Sequence, residues 1–463
     1  MSILLINPSL ENIRVAVGVG FPVGLAHIAA SLEKASYSVF VFDLPVENLS
    51  LERIIKKIKH LKPKVVGITS MTSTFLTAAR IAEKIAEVFP EILIVFGGVH
   101  VSFLDKQTLK DFDFIDLVVR GEGEETIREV VKRYLLKNNH DFKGIKGITY
   151  KHKGKIFRNP DRERVKNSSL LYPPAYHLFP MHLYSKRQLG EFGETFSPIR
   201  VLTARGCPYS CVFCLVPVIF KKKCRCKTVK SILDELQLLH DKFGIKNFKF
   251  ADDTFTLDQS RVIAICEGMK KRKLNMNWEC ETRVDLVSSR VLKAMKSANC
   301  TTVWYGIESS SPGTIRKVNK KISLPMAANA IKVTQECGLR AGAFFIMGLP
   351  SDGPRQTKCF VNWAIKADLD AVVFSILTPF PGTKIFKDPK KFGILIRSQD
   401  WNRYTESDAV IETRYLTASA IKKYTIRSYL DFYCRTEYLL ARDIKWRFNL
   451  TRHVLGFVES SSF

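Results

Sequence analysis

Short apolar runs alternate with longer amphipathic stretches from the first residues of the chain. The runs at 3–7, 39–44, 65–70, 92–96 and 117–120 are nearly continuous in Val, Ile, Leu and Phe, while 22–34, 51–61, 75–89 and 124–136 repeat their apolar positions at helical spacing. Strands without polar alternation are buried on both faces, so the pattern predicts a doubly wound parallel sheet with helices on either side. Ligands of such sheets sit beyond the carboxyl ends of the strands. Small and polar residues collect there: Asn7-Pro8-Ser9, Thr69-Ser70-Met71-Thr72-Ser73, Gly97-Gly98-Val99-His100 and Gly121-Glu122-Gly123-Glu124. Next, 148–151 and 155–158 flank Gly154 and predict a β-hairpin. The stretch that follows, to residue 198, is rich in Pro, Tyr and polar residues and reads as a linker stiffened by Pro173-Pro174.

The alternation restarts at residue 199. Strand candidates at 199–203, 247–251, 276–283, 302–307, 341–347 and 371–377 are separated by helical segments such as 232–243, 291–297 and 327–337. Six β/α units fit a partial barrel better than a closed eight-stranded one, and such barrels work from the carboxyl ends of their strands. Asp252-Asp253, Arg283, Glu308 and Gly348-Leu349-Pro350 fall at those ends. The chain therefore divides into a doubly wound, Rossmann-like α/β domain at 1–143, a hairpin and linker at 144–198, a partial (β/α)6 barrel at 199–392 and a basic, mainly helical region at 393–463.

With 463 residues, 46% of them hydrophobic, each domain has enough apolar surface for a core. The eleven cysteines are odd in number, and the N-terminus shows no charged segment leading to a cleavage site, which points to a reducing cytoplasm. No apolar run approaches the ~18 residues of a spanning helix. A formal charge of +27 attracts nucleic acid, phosphorylated or carboxylated substrates, or the anionic face of a membrane. The sequence has no RNA-recognition or helix-turn-helix pattern, so nucleic acid is not the expected partner. Near the end, Lys422, Lys423, Arg427, Arg435 and Arg442 interleave with Tyr429, Phe432, Tyr433, Tyr438 and Trp446. That mixture suits either an interfacial helix on the inner face of a membrane or a helix docked on the barrel.

The stretch that carries chemistry is Arg205-Gly206-Cys207-Pro208-Tyr209-Ser210-Cys211-Val212-Phe213-Cys214, directly after the first barrel strand. Three thiols on a loop can wrap a small iron–sulfur cluster while supplying one ligand fewer than a four-iron cube takes, so one iron stays open. A structural zinc site is the alternative, with Cys224 or Cys226 as a fourth ligand. The Cys-x3-Cys-x2-Cys spacing resembles the radical S-adenosylmethionine (SAM) superfamily. This resemblance implies a [4Fe-4S] cluster on Cys207, Cys211 and Cys214, SAM at the open iron, and an external electron donor such as ferredoxin or flavodoxin. It also implies that Tyr209 or Phe213 packs near the adenine, that Asp252 and Asp253 contact the SAM amino group and that Arg283 pairs with its carboxylate. Glu308, in Tyr305-Gly306-Ile307-Glu308-Ser309, would accept hydrogen bonds from the ribose hydroxyls.

The first domain is similar to the cobalamin-binding domain that precedes many radical SAM cores. The likeness lies in Gly18-x-Gly20-Phe21-Pro22-x-Gly24-Leu25, the Ser70 loop, Gly97-Gly98-x-His100 and Gly121-Glu122-Gly123-Glu124. The chain lacks Asp-x-His-x-x-Gly after its first strand, so no histidine is placed as a lower cobalt ligand. The resemblance implies cobalamin contacts at Ser70, Gly97, Gly98 and His100. It also implies a cobalamin-dependent methyltransferase acting on an unactivated carbon of a small-molecule or lipid-like substrate. Cyclisation or carbon–carbon coupling on an isoprenoid lipid or tetrapyrrole is the alternative that the same architecture leaves open. Methylthiotransferases of this kind carry three further cysteines in the N-terminal domain, whereas residues 1–206 contain none.

Overall fold

Seven strands form the first sheet: β1 (Ser2–Asn7), β2 (Ser38–Asp43), β3 (Val65–Thr69), β4 (Leu93–Gly97), β5 (Leu117–Val119), β6 (Ile148–His152) and β7 (Lys155–Arg158), in the order β2-β1-β3-β4-β5-β6-β7. The first five are parallel. Helices α1 (Val23–Lys34), α2 (Leu51–Leu61), α3 (Phe75–Val88) and α4 (Glu124–Lys137) connect or flank them. This cover explains the unbroken apolar run of β1, where Ile3, Leu4, Leu5 and Ile6 are all buried. The chain passes from β1 to β2 on one side and returns to β3 on the other, so the crevice where ligands settle opens between the ends of β1 and β3. The hairpin β6–β7, expected to lead out of this domain, instead extends its sheet, with β6 antiparallel to β5. Burial of Ile148 and Tyr150 explains the difference, because their side chains complete the same core.

This computed structural model describes residues 2–10, 20–137, 141–164, 172–186, 198–436 and 438. The chain divides into two compact units, Met1–Asn12 with Pro22–Lys186 and Ile13–Phe21 with Arg187–Phe463. In the second unit a short hairpin, β9 (Ala204–Arg205) with β10 (Arg225–Cys226), follows β8 (Arg200–Val201). The remaining barrel strands are β11 (Asn247–Phe250), β12 (Asn277–Thr282), β13 (Cys300–Glu308), β14 (Arg340–Met347) and β15 (Ala371–Ile376). The sheet order β15-β14-β13-β12-β11-β8 follows the chain, every pair is parallel, and the sheet is open at both edges. This is the six-stranded partial barrel the sequence predicts. Helices α5 (Val229–Phe243), α6 (Gln259–Lys271), α7 (Ser289–Ser297), α8 (Leu324–Glu336) and α9 (Pro354–Lys366) alternate with the strands. The first of them begins where the Thr228 side chain accepts from the Ser231 N–H and ends at Gly244 in the left-handed region.

Helix α10 (Ala418–Tyr433) closes the β15 edge. The Tyr429 hydroxyl accepts from the Phe374 N–H at 3.0 Å, while the Tyr433 hydroxyl accepts from the Val372 N–H at 2.8 Å and donates to its carbonyl at 2.7 Å. An edge strand presents unpaired backbone groups, and two phenols satisfy them here. The described part of the basic, aromatic tail is thus docked on the barrel, while Arg442, Trp446 and the rest of that stretch lie outside the described residues. No helix among the described residues is long and apolar enough to cross a membrane.

Replacing Tyr433 by Phe strands the buried Val372 N–H and carbonyl without a partner. Loss of ~1–3 kcal/mol is expected on denaturant titration, whereas stability equal to wild type would show that the edge is closed by packing alone.

Candidate active site

The thiol loop is fixed from its base. Gly206 has φ +100°, and a Cβ there would lie 2.2 Å from the Lys223 carbonyl oxygen and 2.8 Å from Phe220 Cβ, so only glycine fits. Its N–H donates to Asp253 Oδ2 at 3.3 Å. Asp252 points the other way, as consecutive residues leaving a strand do. It accepts from the Thr203 N–H at 2.6 Å, from the Thr203 hydroxyl and from the Ala204 N–H at 3.1 Å, with Arg261 Nη2 3.5 Å away. Burial raises its pKa, partly offset by those donors. The expectation that both aspartates face a SAM amino group is therefore corrected for Asp252, which anchors the chain entering the loop.

Cys207 Sγ lies 3.4 Å from Thr254 Oγ1, and the Cys211 thiol donates to the Asn319 carbonyl at 3.9 Å. Cys207, Cys211 and Cys214 are all free and half-buried, as is Phe213 between the last two. Among the described residues no three His, Cys, Asp or Glu side chains converge as ligands of one ion. A cubic cluster takes one thiolate at each of three separate corners, and this loop carries three free thiols.

One short turn braces this loop, and sequence reasoning missed it. The Val318 carbonyl accepts from the Val212 N–H at 3.1 Å, and Asn319 Nδ2 donates to the Ser210 carbonyl and hydroxyl at 3.1 and 3.2 Å. The carbonyls of Lys320 and Lys321 accept from the Arg283 guanidinium at 2.9 and 3.3 Å. That guanidinium also forms a fork with Asp285 at 2.8 and 3.0 Å and lies 3.6 Å from the centroid of the Tyr209 ring. Arg283 is thus largely engaged with the protein and places Tyr209 against the brace.

Lys320 also reaches Glu308, Nζ to Oε1 at 2.7 Å, with both side chains nine-tenths buried. Burial alone would lower the Lys320 pKa, but the Glu308 charge, with the Cys211 sulfur nearby, outweighs it and raises it. Glu308 itself sits at φ +71°, unusual outside glycine, beside an irregularity in the β13–β14 register. Gly306 makes room for the pair, since a Cβ there would be 2.6 Å from both charged atoms. No local pattern marks Lys320, which in sequence is one lysine of a polar loop; only the long-range pairing exposes it.

In the first unit Ser70 and Gly97 meet at the ends of β3 and β4. The Ser70 N–H and hydroxyl both donate to the Gly97 carbonyl, at 2.9 and 3.2 Å. Gly98, at φ +101°, allows the approach, because a Cβ there would be 2.3 Å from the Ser70 carbonyl oxygen. At Gly97 a Cβ would meet nothing within 4 Å, and Met71 beside it is exposed. The surface at this pair of strand ends is open at Gly97. His100 does not join it: the ring is buried, lies 4.2 Å from Phe75 between centroids, and burial depresses its pKa to about 4. The expectation of a cobalamin contact there is corrected, since the helix that follows Gly98 turns this side chain into the core. Gly18 lies outside the described residues.

At the end of β14, Asp352 is fully buried; Oδ1 accepts from the Thr314 hydroxyl at 2.9 Å and Oδ2 has no partner among the described residues. Burial pushes this carboxyl up to about 7. A raised carboxyl pKa withholds little stability below pH of about 4 and progressively more as pH rises to about 7. Asp352→Asn keeps an acceptor for Thr314 and should gain on wild type by up to ~4 kcal/mol between those limits. Parallel pH profiles of unfolding for the two proteins would contradict the burial argument.

Residues 12–131 match the B12 binding domain family and residues 201–364 the radical SAM superfamily. The chain is 36% identical over 442 residues to an uncharacterized methyltransferase of Pyrococcus horikoshii, covering 95% of this chain and 94% of that protein. It is 25% identical to an anaerobic magnesium-protoporphyrin IX monomethyl ester cyclase of Cereibacter sphaeroides, over 94% of this chain and 71% of the relative. Its fold is similar to that of TsrM, a radical SAM methyltransferase from Kitasatospora setae solved with cobalamin and a [4Fe-4S] cluster bound. The TM-score is 0.74 at 16% identity, and all of both chains is covered.

Proposed function

This chain belongs to the radical SAM superfamily, in its B12-binding branch, as a cobalamin-dependent methyltransferase, and we propose that it methylates an unactivated carbon of a small-molecule or lipid-like substrate. Its cofactors are a [4Fe-4S] cluster, SAM and cobalamin. Together they supply abstraction of a hydrogen atom from carbon and a transferable methyl group, which side chains alone cannot.

The observation that carries the reading is the three-thiol loop directly after the first barrel strand, braced by the turn at 318–321. Cys207, Cys211 and Cys214 would hold the cluster. Asp253 and Gly206 would set the loop's base, and Tyr209 and Phe213 would face the adenine. Glu308, held in place by its ion pair with Lys320, would present a carboxylate oxygen to the ribose diol. Ser70, Gly97 and Gly98 would contact the corrin, while His100 stays buried against Phe75. An external donor such as ferredoxin or flavodoxin would reduce the cluster in the cytoplasm. A second reading, cyclisation or coupling without net methyl transfer, is favoured by the cyclase relative.

Two products separate these readings without knowledge of the substrate. Anaerobically reconstituted, reduced enzyme should release 5′-deoxyadenosine from SAM, and Cys211→Ala should abolish that release. S-adenosylhomocysteine should form only when cobalamin is supplied and reduced. Cobalamin-independent behaviour would instead favour cyclisation, and unchanged 5′-deoxyadenosine release by Cys211→Ala would overturn the assignment of the loop.

A further inference from the structure

The inner face of the barrel sheet is more open than its outer face. On β14 and β15 the half-buried positions Phe344, Ile346, Val373 and Ser375 all project inward, whereas their outward neighbours Phe345, Met347, Val372 and Phe374 are fully buried. A parallel sheet is normally covered on both sides. An apolar wall left half-covered towards the carboxyl ends of barrel strands is a place for a ligand.

The facing wall is polar. Lys249 on β11 and Glu279 and Glu281 on β12 project inward, because Phe248, Phe250, Trp278 and Cys280 fill the outer face. Lys249 Nζ is 2.5 Å from Glu281 Oε1, so its charge is matched. Glu279 is only 9% exposed; its Oε2 accepts from Trp304 Nε1 at 2.9 Å, and its Oε1 has no partner among the described residues. The indole that holds it is itself fixed. A Cβ at Gly342 would come within 2.4 Å of that ring, and Phe344 lies against it at 5.3 Å between centroids. A buried carboxylate oxygen left without a donor is costly, and a ligand that brings one recovers that cost.

We propose that this chamber takes an amphipathic substrate whose apolar body lies on Phe344, Ile346 and Val373 and whose hydroxyl or other hydrogen-bond donor engages Glu279 Oε1. The proposal rests on the methyltransferase reading and adds the substrate class to it. An anionic head group is not the partner assigned to Glu279 Oε1, whose carboxylate would repel it, although Arg200 on β8 shares this face of the sheet.

Geraniol, geranyl methyl ether and geranyl phosphate serve as probes for equilibrium binding to the reconstituted full chain. Geraniol is expected to bind about tenfold or more tighter than the ether, which has the same body but no donor, and tighter than the phosphate. In Glu279→Gln the amide oxygen must stay on the Trp304 N–H, turning the NH2 towards the chamber. The preference for geraniol over the ether should then fall to about twofold or invert. Retained binding of the ether would show that the variant is folded. Phe344→Ala should weaken geraniol and the ether alike. Equal binding of alcohol and ether by wild type, a preference for the phosphate, no binding of any probe, or a preference unchanged in Glu279→Gln would each overturn the proposal. Cobalt content and S-adenosylhomocysteine formation, measured on the same sample, tell its failure from failure of the underlying reading, which alone would lower them.

Discussion

The second unit depends on a buried ion pair. Glu308 and Lys320 meet at 2.7 Å with little exposure, and removing one partner from such a pair leaves an uncompensated charge that costs ~3–5 kcal/mol. Lys320 is therefore held where it is, and the turn that carries it is held with it. From that turn the Val318 carbonyl, the Asn319 side chain and the Lys320 and Lys321 carbonyls reach Val212, Ser210 and Arg283. One electrostatic constraint at the end of β13 thus fixes the loop after β8, although more than a hundred positions separate Ser210 from Asn319. The strained backbone of Glu308 and the bare position of Gly306 are what make the pair fit.

Rigidity of this kind matters for radical chemistry. A protein that handles a reactive carbon radical must hold its cofactors and substrate in fixed relation and keep competing reactions out. The brace ties the thiol loop, the Tyr209 ring and the Glu308 carboxylate into one body, so they cannot drift independently. The first unit uses a different device for a different ligand. There Ser70 and Gly98 bring two strand-end loops into close contact, and Gly97 stays open beside them, the place proposed for the corrin.

Much of this was legible in the sequence for a local reason. Strands covered on both faces are written as unbroken apolar runs in the first domain, and the barrel strands as short apolar or alternating runs between helical stretches, so both sheets show directly. The cysteine spacing is local too. What did not show depends on direction or distance. Whether Asp252 or Asp253 faces the thiol loop is set by a half-turn of backbone at the end of β11. His100 looks like a site residue beside two glycines, yet the helix that begins there carries it inward against Phe75. Lys320 acquires its role from Glu308 across a turn and Arg283 its role from Tyr209 and the carbonyls of Lys320 and Lys321, and the aromatic stripe of α10 is resolved only where its phenols meet the backbone of β15. Glu279 reads in the sequence as one of three polar residues on its strand, with Glu281 and Arg283, and only the Trp304 hydrogen bond shows that one of its oxygens is left bare.

The most direct test of the account is the metal content of the full chain after anaerobic reconstitution with iron, sulfide and hydroxocobalamin and removal of unbound material. The account predicts near-stoichiometric cobalt together with a full four-iron cluster, and loss of the iron but not the cobalt when Cys207, Cys211 and Cys214 are replaced together. Iron without cobalt would contradict the assignment of the first unit's open strand ends to a corrin, and absence of the cluster from the unaltered chain would contradict the account at its centre.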